Sequence, residues 1–289
     1  LGARIIAMPR FDLNEALKLI ARKKVTVFPA VPTIYTAINN HKAVGSLDLS
    51  SIRFCISGGA PLPVEVKEKF EALTGGELVE GYGLTESSPV AACNPIKGDN
   101  RPGSIGLPLP QTIFEVWPLE DDEDHPKDQP LPIGATGEIC IRGPQVMKGY
   151  WNDQEATART LKDGRLHTGD VGYIDKDGYV YIVDRLKDLI LCSGYNVYPR
   201  HVEEAVYKHP AVEECICAGI PDTYRGETVK VWIKLKSGQT LNAAALRAFL
   251  KDHLSPIEIP KKIEFRDTPL PKTMIGKLSR KDILAEESA

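Results

Sequence analysis

The sequence lacks a membrane-spanning apolar run, a Cys-x-x-Cys pair and a zinc-finger spacing, three features that would indicate a particular class of protein. No apolar run in its 289 residues approaches the length of a membrane-spanning helix. Its six cysteines include no Cys-x-x-Cys pair and no zinc-finger spacing. Cys215 and Cys217 would share one face of a strand, which favours core residues over metal ligands. We therefore expect a reducing, cytoplasmic environment without a structural metal, and peripheral membrane contact stays open.

A strong charge of either sign is also missing. The sequence has 36 basic and 39 acidic residues, for a formal net charge of −3. This balance creates no long-range field that would attract a nucleic acid, and we expect no such partner. Leu1–Ile6 has neither an initiator Met nor the three-part pattern of a signal peptide. Because Ile5–Met8 also looks like a strand, we expect that residue 1 is not the natural start.

Helical and strand patterns alternate at the beginning of the chain. One helix is indicated by an N-cap and a single apolar face, formed by Asp12, Leu13, Ala16, Leu17 and Ile20. Further helices are predicted from Pro32 and around Phe70, and strands at Val25–Phe28, Ile52–Ser57 and Leu78–Val79. This order predicts a parallel α/β sheet. Ligands bind at the carboxyl ends of such strands, where Gly58–Ala60 and Tyr82–Glu86 follow.

Three regions of different pattern divide the chain. The α/β class is predicted with a partial parallel α/β subdomain over 1–108, a small β subdomain over 109–186 and an α+β carboxyl-terminal domain over 187–289. The β subdomain has predicted antiparallel strands at Ile113–Trp117 and Glu138–Arg142, and a hairpin over 171–183. Asn152 and Glu155 have the spacing of a capping box for a short helix.

An alternating strand is predicted at Val229–Leu235. Its apolar residues share one face, and the other face carries Lys230, Trp232 and Lys234. We predict that the second face is a solvated sheet surface. The alternative is a binding surface around an exposed Trp232.

The stretch Glu80–Ser88 has the strongest chemical pattern. Tyr82 stands between two glycines, Gly81 and Gly83, which let the backbone approach a ligand closely. Thr85 can bond a phosphate oxygen, and Glu86 offers a hard oxygen ligand for a magnesium ion that carries phosphates. The structural alternative is a tight turn with a buried Tyr82 and a solvated Glu86.

Four further stretches carry candidate chemistry: Leu166–Asp170, Asp184–Asp188, Ser193–Pro199 and Pro271–Arg280. The first ends in a carboxylate that follows a glycine and is suited to bidentate bonding of ribose hydroxyls. The last places lysines in a loop near the carboxyl terminus. Taken singly, each stretch is explained equally well by turns, surface ion pairs and a basic tail.

In this order and spacing, these motifs resemble the adenylate-forming superfamily of acyl-CoA synthetases, luciferases and peptide-synthetase adenylation domains. The resemblance covers essentially the whole chain. The stretches that look closest to long-chain fatty-acid–CoA ligases are 39–59, 81–89, 143–151 and 181–187. The resemblance implies that a fatty acid reacts with ATP to give acyl-AMP and pyrophosphate, and that coenzyme A then displaces AMP.

The resemblance also implies a role for each matching residue. In the nucleotide site, adenine would contact Gly58, Gly59, Ala60, Tyr82 and Gly83. Thr85 would contact the phosphates and Glu86 would hold Mg²⁺, while Asp170 and Arg185 would bind the ribose. Lys187 would be the hinge of a mobile carboxyl-terminal lid, and Lys277 would be the catalytic lysine of adenylation. Gly194 and Tyr195 would line the coenzyme A tunnel.

The sequence departs from the family pattern in two places. No window is rich enough in Ser, Thr and Gly to be the family's phosphate-cradling loop. We therefore expect that this chain is the carboxyl-terminal half of a ligase, inactive without its amino-terminal half, and that the exposed face could drive oligomer formation. Glu258 stands where the family has a basic residue, which puts one coenzyme A contact in doubt.

Two alternatives stay open. The first keeps the adenylation chemistry but uses an aryl or short-chain acid, or the thiol of a carrier protein. The second is a non-catalytic nucleotide-binding or interaction module, which the missing phosphate loop would allow.

Overall fold

The computed structural model describes residues 2–119, 122–273 and 277–287. The helices of this described part are α1 (Leu13–Lys23), α2 (Pro32–Asn39), α3 (Val64–Thr74), α4 (Gln154–Thr160), α5 (Pro199–Tyr207), α6 (Ala243–Leu250) and α7 (Arg280–Glu287). Short 3-10 helices cover Val44–Ser46, Thr85–Ser87 and Leu186–Asp188. None of the helices in the described ranges combines the length and the apolar character needed to cross a membrane.

The strands form three sheets. The first has the order β1-β2-β3-β4, from strands β1 (Phe54–Ser57), β2 (Glu77–Gly83), β3 (Val90–Cys93) and β4 (Leu107–Pro108). The second has the order β5-β6-β8-β7 with β9 beside β8, from β5 (Ile113–Trp117), β6 (Gly137–Arg142), β7 (Leu161–Lys162), β8 (Arg165–Ile174) and β9 (Val180–Arg185). The third has the order β11-β10-β13-β12 with β14 beside β13, from β10 (Ile190–Cys192), β11 (Tyr195–Val197), β12 (Val212–Asp222), β13 (Gly226–Leu235) and β14 (Lys262–Phe265).

By their contacts, the residues form two compact units. The first unit comprises Leu1–Glu115, Cys140–Thr168 and Ile174–Tyr181. The second comprises Val116–Ile139, Gly169–Tyr173 and Ile182–Ala289. The three-part domain division made from the sequence stays a prediction.

The first sheet begins with the expected parallel pair. Strands β1 and β2 are parallel, and α3 connects them in sequence. The helix α1 forms as predicted, because the Asp12 carboxylate accepts a hydrogen bond from the Glu15 amide at 2.8 Å and satisfies one free donor of the first turn. Leu17 and Ile20 on α1 and Phe70 on α3 pack into one apolar core. The predicted α/β class is confirmed.

Both faces of the third sheet are covered. One face packs against α5 and α6 around a core that includes Cys215 and Cys217, so the two thiols are core residues as predicted. The other face packs Trp232 against Ile216, Leu270 and Ile283 of α7. The predictions of a solvated face and of an exposed Trp232 are therefore both wrong. Trp232 is fully buried, because a helix some fifty positions later in the sequence covers it.

Two predicted strands differ in the structure. Ile5–Met8 forms no strand within the described residues, and the Ile5 side chain is 89% exposed. Val25–Phe28 runs parallel to β1 as predicted, but only through isolated bridges such as the one between Val27 and Phe54, and Val27 is not buried. Hydrogen bonds to β1 continue past Pro29, since the Phe28 and Ala30 amides donate to the Phe54 and Ile56 carbonyls at 3.4 and 3.0 Å.

The predicted cap of α4 is one residue too early. Asp153 is the N-cap, and its carboxylate accepts a hydrogen bond from the Ala156 amide at 2.8 Å. Asn152 has a φ of 53°, a left-handed conformation that asparagine tolerates but that an N-cap residue does not adopt. The hairpin of β8 and β9 forms as predicted, with the Gly178 amide bonded to the Asp175 carbonyl at 3.0 Å.

Candidate functional site

The register of the parallel pair brings the two glycine-rich stretches of the first unit together. Ser57, the last residue of β1, is paired with Glu80 of β2, so that Gly58 and Gly81 are neighbours. A Cβ atom on Gly58 would lie 3.5 Å from the Gly81 carbonyl oxygen. Gly59 has a φ of 76°, which suits glycine, and begins the turn that ends at Ala60 and leads towards α3. This places Gly58–Ala60 beside Tyr82 at the edge where ligands bind in such sheets.

The Tyr82 ring already has one aromatic neighbour. Phe114 of β5 lies 6.3 Å away between ring centroids, with the planes at 62° in an edge-to-face arrangement. Such a contact orients the Tyr82 ring. Tyr82 is partly exposed. The structural alternative of a buried Tyr82 is therefore wrong. The sequence pattern around Tyr82 had no signal for Phe114, which is separated from it by two strands.

The turn after β2 is built by Ser87 and Gly83. Ser87 is buried, and its hydroxyl donates to the Pro89 carbonyl at 2.7 Å and accepts from the Leu84 amide at 3.0 Å. A Cβ atom on Gly83 would lie 1.8 Å from the Pro89 carbonyl oxygen, so only glycine fits this close approach of backbone to backbone. The Thr85 side chain is left exposed on this turn.

Glu86 is held from two sides by the segment that precedes α4. Its carbonyl accepts a hydrogen bond from the Met147 amide at 2.8 Å, and its carboxylate Oε1 accepts one from the Tyr150 hydroxyl at 2.6 Å. The Glu86 hydrogen bond, followed by partial desolvation, raises the pKa of Tyr150, because the carboxylate favours the neutral phenol. Sequence reasoning assigned no role to Tyr150, although Gly149–Tyr150 repeats the glycine–tyrosine pattern of Gly81–Tyr82.

In the second unit, Asp170 and Arg185 form an ion pair. Arg185 Nε lies 2.8 Å from Asp170 Oδ1. The Asp170 side chain is almost completely buried and the Arg185 side chain is 51% exposed. The neighbouring strands β8 and β9 supply the two residues. The pair therefore offers a fixed carboxylate beside an accessible guanidinium.

Lys277 lies close enough to Arg185 for their two positive charges to interact. Partial burial and then the positive charge of Arg185 lower the pKa of Lys277. The Lys277 amide donates to Thr273 Oγ1 at 3.2 Å, and the Thr273 amide donates to the Lys277 carbonyl at 2.7 Å. Met274–Gly276 of the same stretch lie outside the described residues. Asp170, Arg185 and Lys277 all belong to the second unit.

The predicted hinge and coenzyme A residues lie elsewhere in the second unit. Lys187 is exposed in the middle of the 3-10 helix Leu186–Asp188. Gly194 and Ser193 form the two-residue turn between β10 and β11, and both have positive φ, as a tight hairpin requires. Tyr195 follows this turn and is 65% exposed. Glu258 binds within the protein, accepting from Ser255 Oγ at 2.7 Å and pairing with His201 at 2.7 Å.

The family follows from comparisons with known proteins. The sequence pattern of the AMP-binding enzymes matches residues 1–151, and the pattern of the AMP-binding enzyme C-terminal domain matches residues 201–277. The chain therefore belongs to the family of AMP-binding enzymes, and the resemblance to adenylate-forming enzymes is confirmed.

Two curated ligases and one solved structure are similar to this chain. A long-chain-fatty-acid–CoA ligase of Bacillus subtilis is 51% identical, aligned over 100% of this chain and 50% of its own length. The ligase of the same name from Escherichia coli is 41% identical over 98% of this chain and 48% of its own length. ATP-bound MatB from Rhodopseudomonas palustris is similar in structure, with a TM-score of 0.87, 35% identity, and coverage of 97% of this chain and 54% of that chain. The chain spans about half the length of the curated relatives it matches, and the matched part is their carboxyl-terminal half.

Proposed function

We propose that this chain carries the nucleotide site and the catalytic lysine of an ATP-dependent long-chain fatty-acid–CoA ligase. In the first half-reaction, a carboxylate oxygen of the fatty acid bonds to the α-phosphorus of ATP, and the bond from that phosphorus to pyrophosphate breaks. In the second, the thiol of coenzyme A loses its proton and bonds to the acyl carbon, and AMP leaves. The names of the 51% and 41% identical relatives support this acid and this acceptor.

The observation that carries the proposal is the grouping of Asp170, Arg185 and Lys277. The Asp170–Arg185 pair would bind the ribose, and Lys277 would approach the α-phosphate and the attacking carboxylate. Two negative reactants repel each other, and a lysine compensates that charge where it develops. Lys277 suits this role because its ammonium group is a point charge on a flexible stem, and its partial burial limits competing water.

The first unit carries further residues to which we assign nucleotide contacts. Gly58, Gly59 and Ala60 would contact adenine, while the Tyr82 ring, braced at its side by Phe114, would stack on the base. Gly83 allows the close backbone approach in this turn, and the exposed Thr85 hydroxyl on the turn would contact a phosphate oxygen. In the second unit, Gly194 and Tyr195 would contact coenzyme A, and Lys187 would be the hinge of the lid.

The surroundings of Glu86 fit a magnesium ion that arrives with ATP. Of its two carboxylate oxygens, Oε1 accepts from Tyr150, and Oε2 accepts no hydrogen bond from the described residues. One hard oxygen from the protein is typical of Mg²⁺, which keeps phosphate oxygens and water as its other ligands. When bound, the ion would neutralise charge on the phosphates.

We expect Glu86→Gln to weaken the Mg²⁺-dependent part of ATP binding about tenfold, roughly 1.4 kcal/mol, because a charged oxygen ligand is lost. The measurement is calorimetric titration of ATP into this chain with Mg²⁺ and with EDTA. Glu68→Gln, which changes an exposed glutamate on α3, is the matched control. The same Glu86 substitution should lower the pKa of Tyr150, which shows without any metal that the local contact is lost. An unchanged Mg²⁺ dependence together with a lowered Tyr150 pKa contradicts the metal role.

The proposed reaction is tested by ATP–pyrophosphate exchange with Mg²⁺ and a panel of acids. The assay compares this chain with a fusion that places the amino-terminal half of the Bacillus subtilis relative before it. We expect exchange by the fusion with long-chain fatty acids, and no exchange by the chain alone. Exchange by the chain alone would mean that the phosphate-cradling loop is dispensable.

Two other outcomes separate the alternatives. Exchange by the fusion with aryl or short-chain acids only would reassign the substrate, and acyl transfer to a carrier-protein thiol in place of coenzyme A would reassign the acceptor. A fusion that folds and binds ATP but never exchanges would favour a non-catalytic nucleotide-binding module. Peripheral membrane contact and oligomer formation stay predictions from the sequence.

A further inference from the structure

The guanidinium of Arg280 lies at the centre of a polar cluster at the end of the stretch Pro271–Arg280. We call this stretch the Lys277 loop, and the structure describes its residues 271–273 and 277–280. Arg280 is the first residue of α7, three positions after Lys277. It donates to three acceptors, namely the Cys217 carbonyl at 3.0 Å, Asp188 Oδ2 at 3.0 Å and Glu203 Oε2 at 2.7 Å. A fourth acceptor, Asp184 Oδ1, lies 3.7 Å away. One side chain thus contacts β12, α5 and both sides of the predicted hinge position Lys187.

The cluster depends on the positive charge of Arg280. Burial raises the pKa of Glu203 and of Asp184, and Arg280 counteracts this effect on both. Burial works against the charged form of Arg280, but the surrounding carboxylates raise its pKa. Asp184 is also fixed by the backbone, since it accepts hydrogen bonds from the Arg185 and Arg200 amides, both at 2.7 Å. Removing the guanidinium would leave buried carboxylates without their counter-charge.

Besides the two bonds between Thr273 and Lys277, the described residues of the Lys277 loop are held on both of its sides. On the incoming side, Glu214 accepts from the Leu270 amide at 2.9 Å and pairs with Lys272 at 2.5 Å. On the outgoing side, the Ser279 amide donates to the Pro271 carbonyl at 2.9 Å, and Arg280 follows directly. Arg280 contacts Asp184 and Asp188, so it joins the described outgoing end of the loop to the segment that carries Arg185.

The packing of α7 against the sheet does not depend on the contacts of Arg280 alone. Ile283 packs into the apolar core around Trp232, Arg266 pairs with Glu286, and Lys230 pairs with Glu287 at 2.6 Å. These contacts hold the remainder of the helix against the sheet. Loss of the Arg280 contacts should accordingly loosen the loop end without detaching α7.

We propose that Arg280 is a positioning residue for Lys277, because its planar fork joins both sides of the hinge position to the end of the Lys277 loop. The guanidinium fixes distance and direction at once, which a lysine ammonium cannot do. The inference rests on the proposed function, in which Lys277 must lie near the Asp170–Arg185 pair during adenylation.

The test measures the pH titration of the Lys277 side chain in this chain and in its Arg280→Lys and Arg280→Gln variants. Lysines are labelled by reductive ¹³C-methylation, their NMR signals are titrated with pH, and Lys277→Arg assigns the signal. We expect the Lys277 titration to move to higher pH in both variants, because the residue leaves its partly buried place beside Arg185. Arg266→Gln, which removes an arginine–glutamate pair from the other end of α7, should leave the signal in place.

Each outcome decides the proposal. If Arg280→Gln fails to fold, the charge-conserving Arg280→Lys variant carries the test. An unchanged Lys277 titration in a folded Arg280→Lys variant overturns the proposal, and so does an equal shift in Arg266→Gln. In the fusion enzyme, Arg280→Lys should lower the turnover number for exchange on the order of tenfold to a hundredfold, with a much smaller change in KM for ATP. If the unsubstituted fusion showed no ATP–pyrophosphate exchange, the proposed function would be contradicted. The NMR titration of Lys277 would still test the positioning role of Arg280.

Discussion

Lys277→Ala should reduce ATP–pyrophosphate exchange by the fusion enzyme on the order of 10²–10³-fold, the usual effect of removing one group that stabilises charge in a transition state. Lys277 is partly buried beside the positive charge of Arg185, in the unit that also holds Asp170. In the proposed role, Lys277 would compensate the negative charge of the α-phosphate and the attacking carboxylate as it develops. The loss should therefore fall on the chemical step more than on ATP binding.

The matched control is Lys281→Ala, which removes an exposed lysine one turn further along, on α7. This variant should keep its exchange rate within a factor of about two, since surface substitutions of this kind rarely matter. A second readout separates the half-reactions. When preformed acyl-adenylate is supplied, Lys277→Ala should still transfer the acyl group to coenzyme A, because the lid would withdraw Lys277 for that step. Equal losses in both half-reactions, or in both variants, contradict the assigned role.

Trp232→Ala should lower the free energy of unfolding by about 3–5 kcal/mol, the usual cost of removing a large aromatic side chain from a core. Trp232 is fully buried between the third sheet and α7, and it contacts the core residues Ile216, Leu270 and Ile283. Lys230 lies over its ring at 4.7 Å from the centroid. The cavity would therefore weaken the attachment of α7, and with it the helix that follows Lys277.

Trp151→Ala is the control for this substitution. Trp151 is 91% exposed, so its removal should change stability by no more than about 0.5 kcal/mol. Urea unfolding followed by circular dichroism is suited to both variants, because fluorescence would itself change with the number of tryptophans. Similar shifts of the unfolding curve for the two variants would mean that α7 does not cover Trp232 in solution.

Features that depend on near neighbours were predictable from the sequence. Helix α1 begins after Asp12 as expected, because its cap and its apolar face lie within the nine consecutive residues 12–20. The β8–β9 hairpin follows from its turn chemistry in the same way. The residues that carry the family resemblance could also be recognised in the sequence, since each motif is a short run of residue types. Their roles at the site stay predictions, which the experiments above test one at a time.

Contacts between distant parts of the chain could not be predicted. The alternation in β13 correctly gave two faces, but the burial of Trp232 depends on α7, which comes about fifty residues later. The bond from Tyr150 to Glu86 spans 64 positions and the ion pair of Arg280 with Glu203 spans 77. No local pattern contains such partners.

The sequence by itself determined the fold class, the family and the residue types that can bind a nucleotide, because these are encoded in periodicity and in short motifs. Only the tertiary structure decided which polar groups meet, namely Glu86 with Tyr150 and Arg280 with Asp188 and Glu203. The physical reason is that burial and hydrogen bonding depend on which surfaces pack together. That packing is set by the free energy of the whole chain, whereas periodicity is set by the geometry of a single helix or strand.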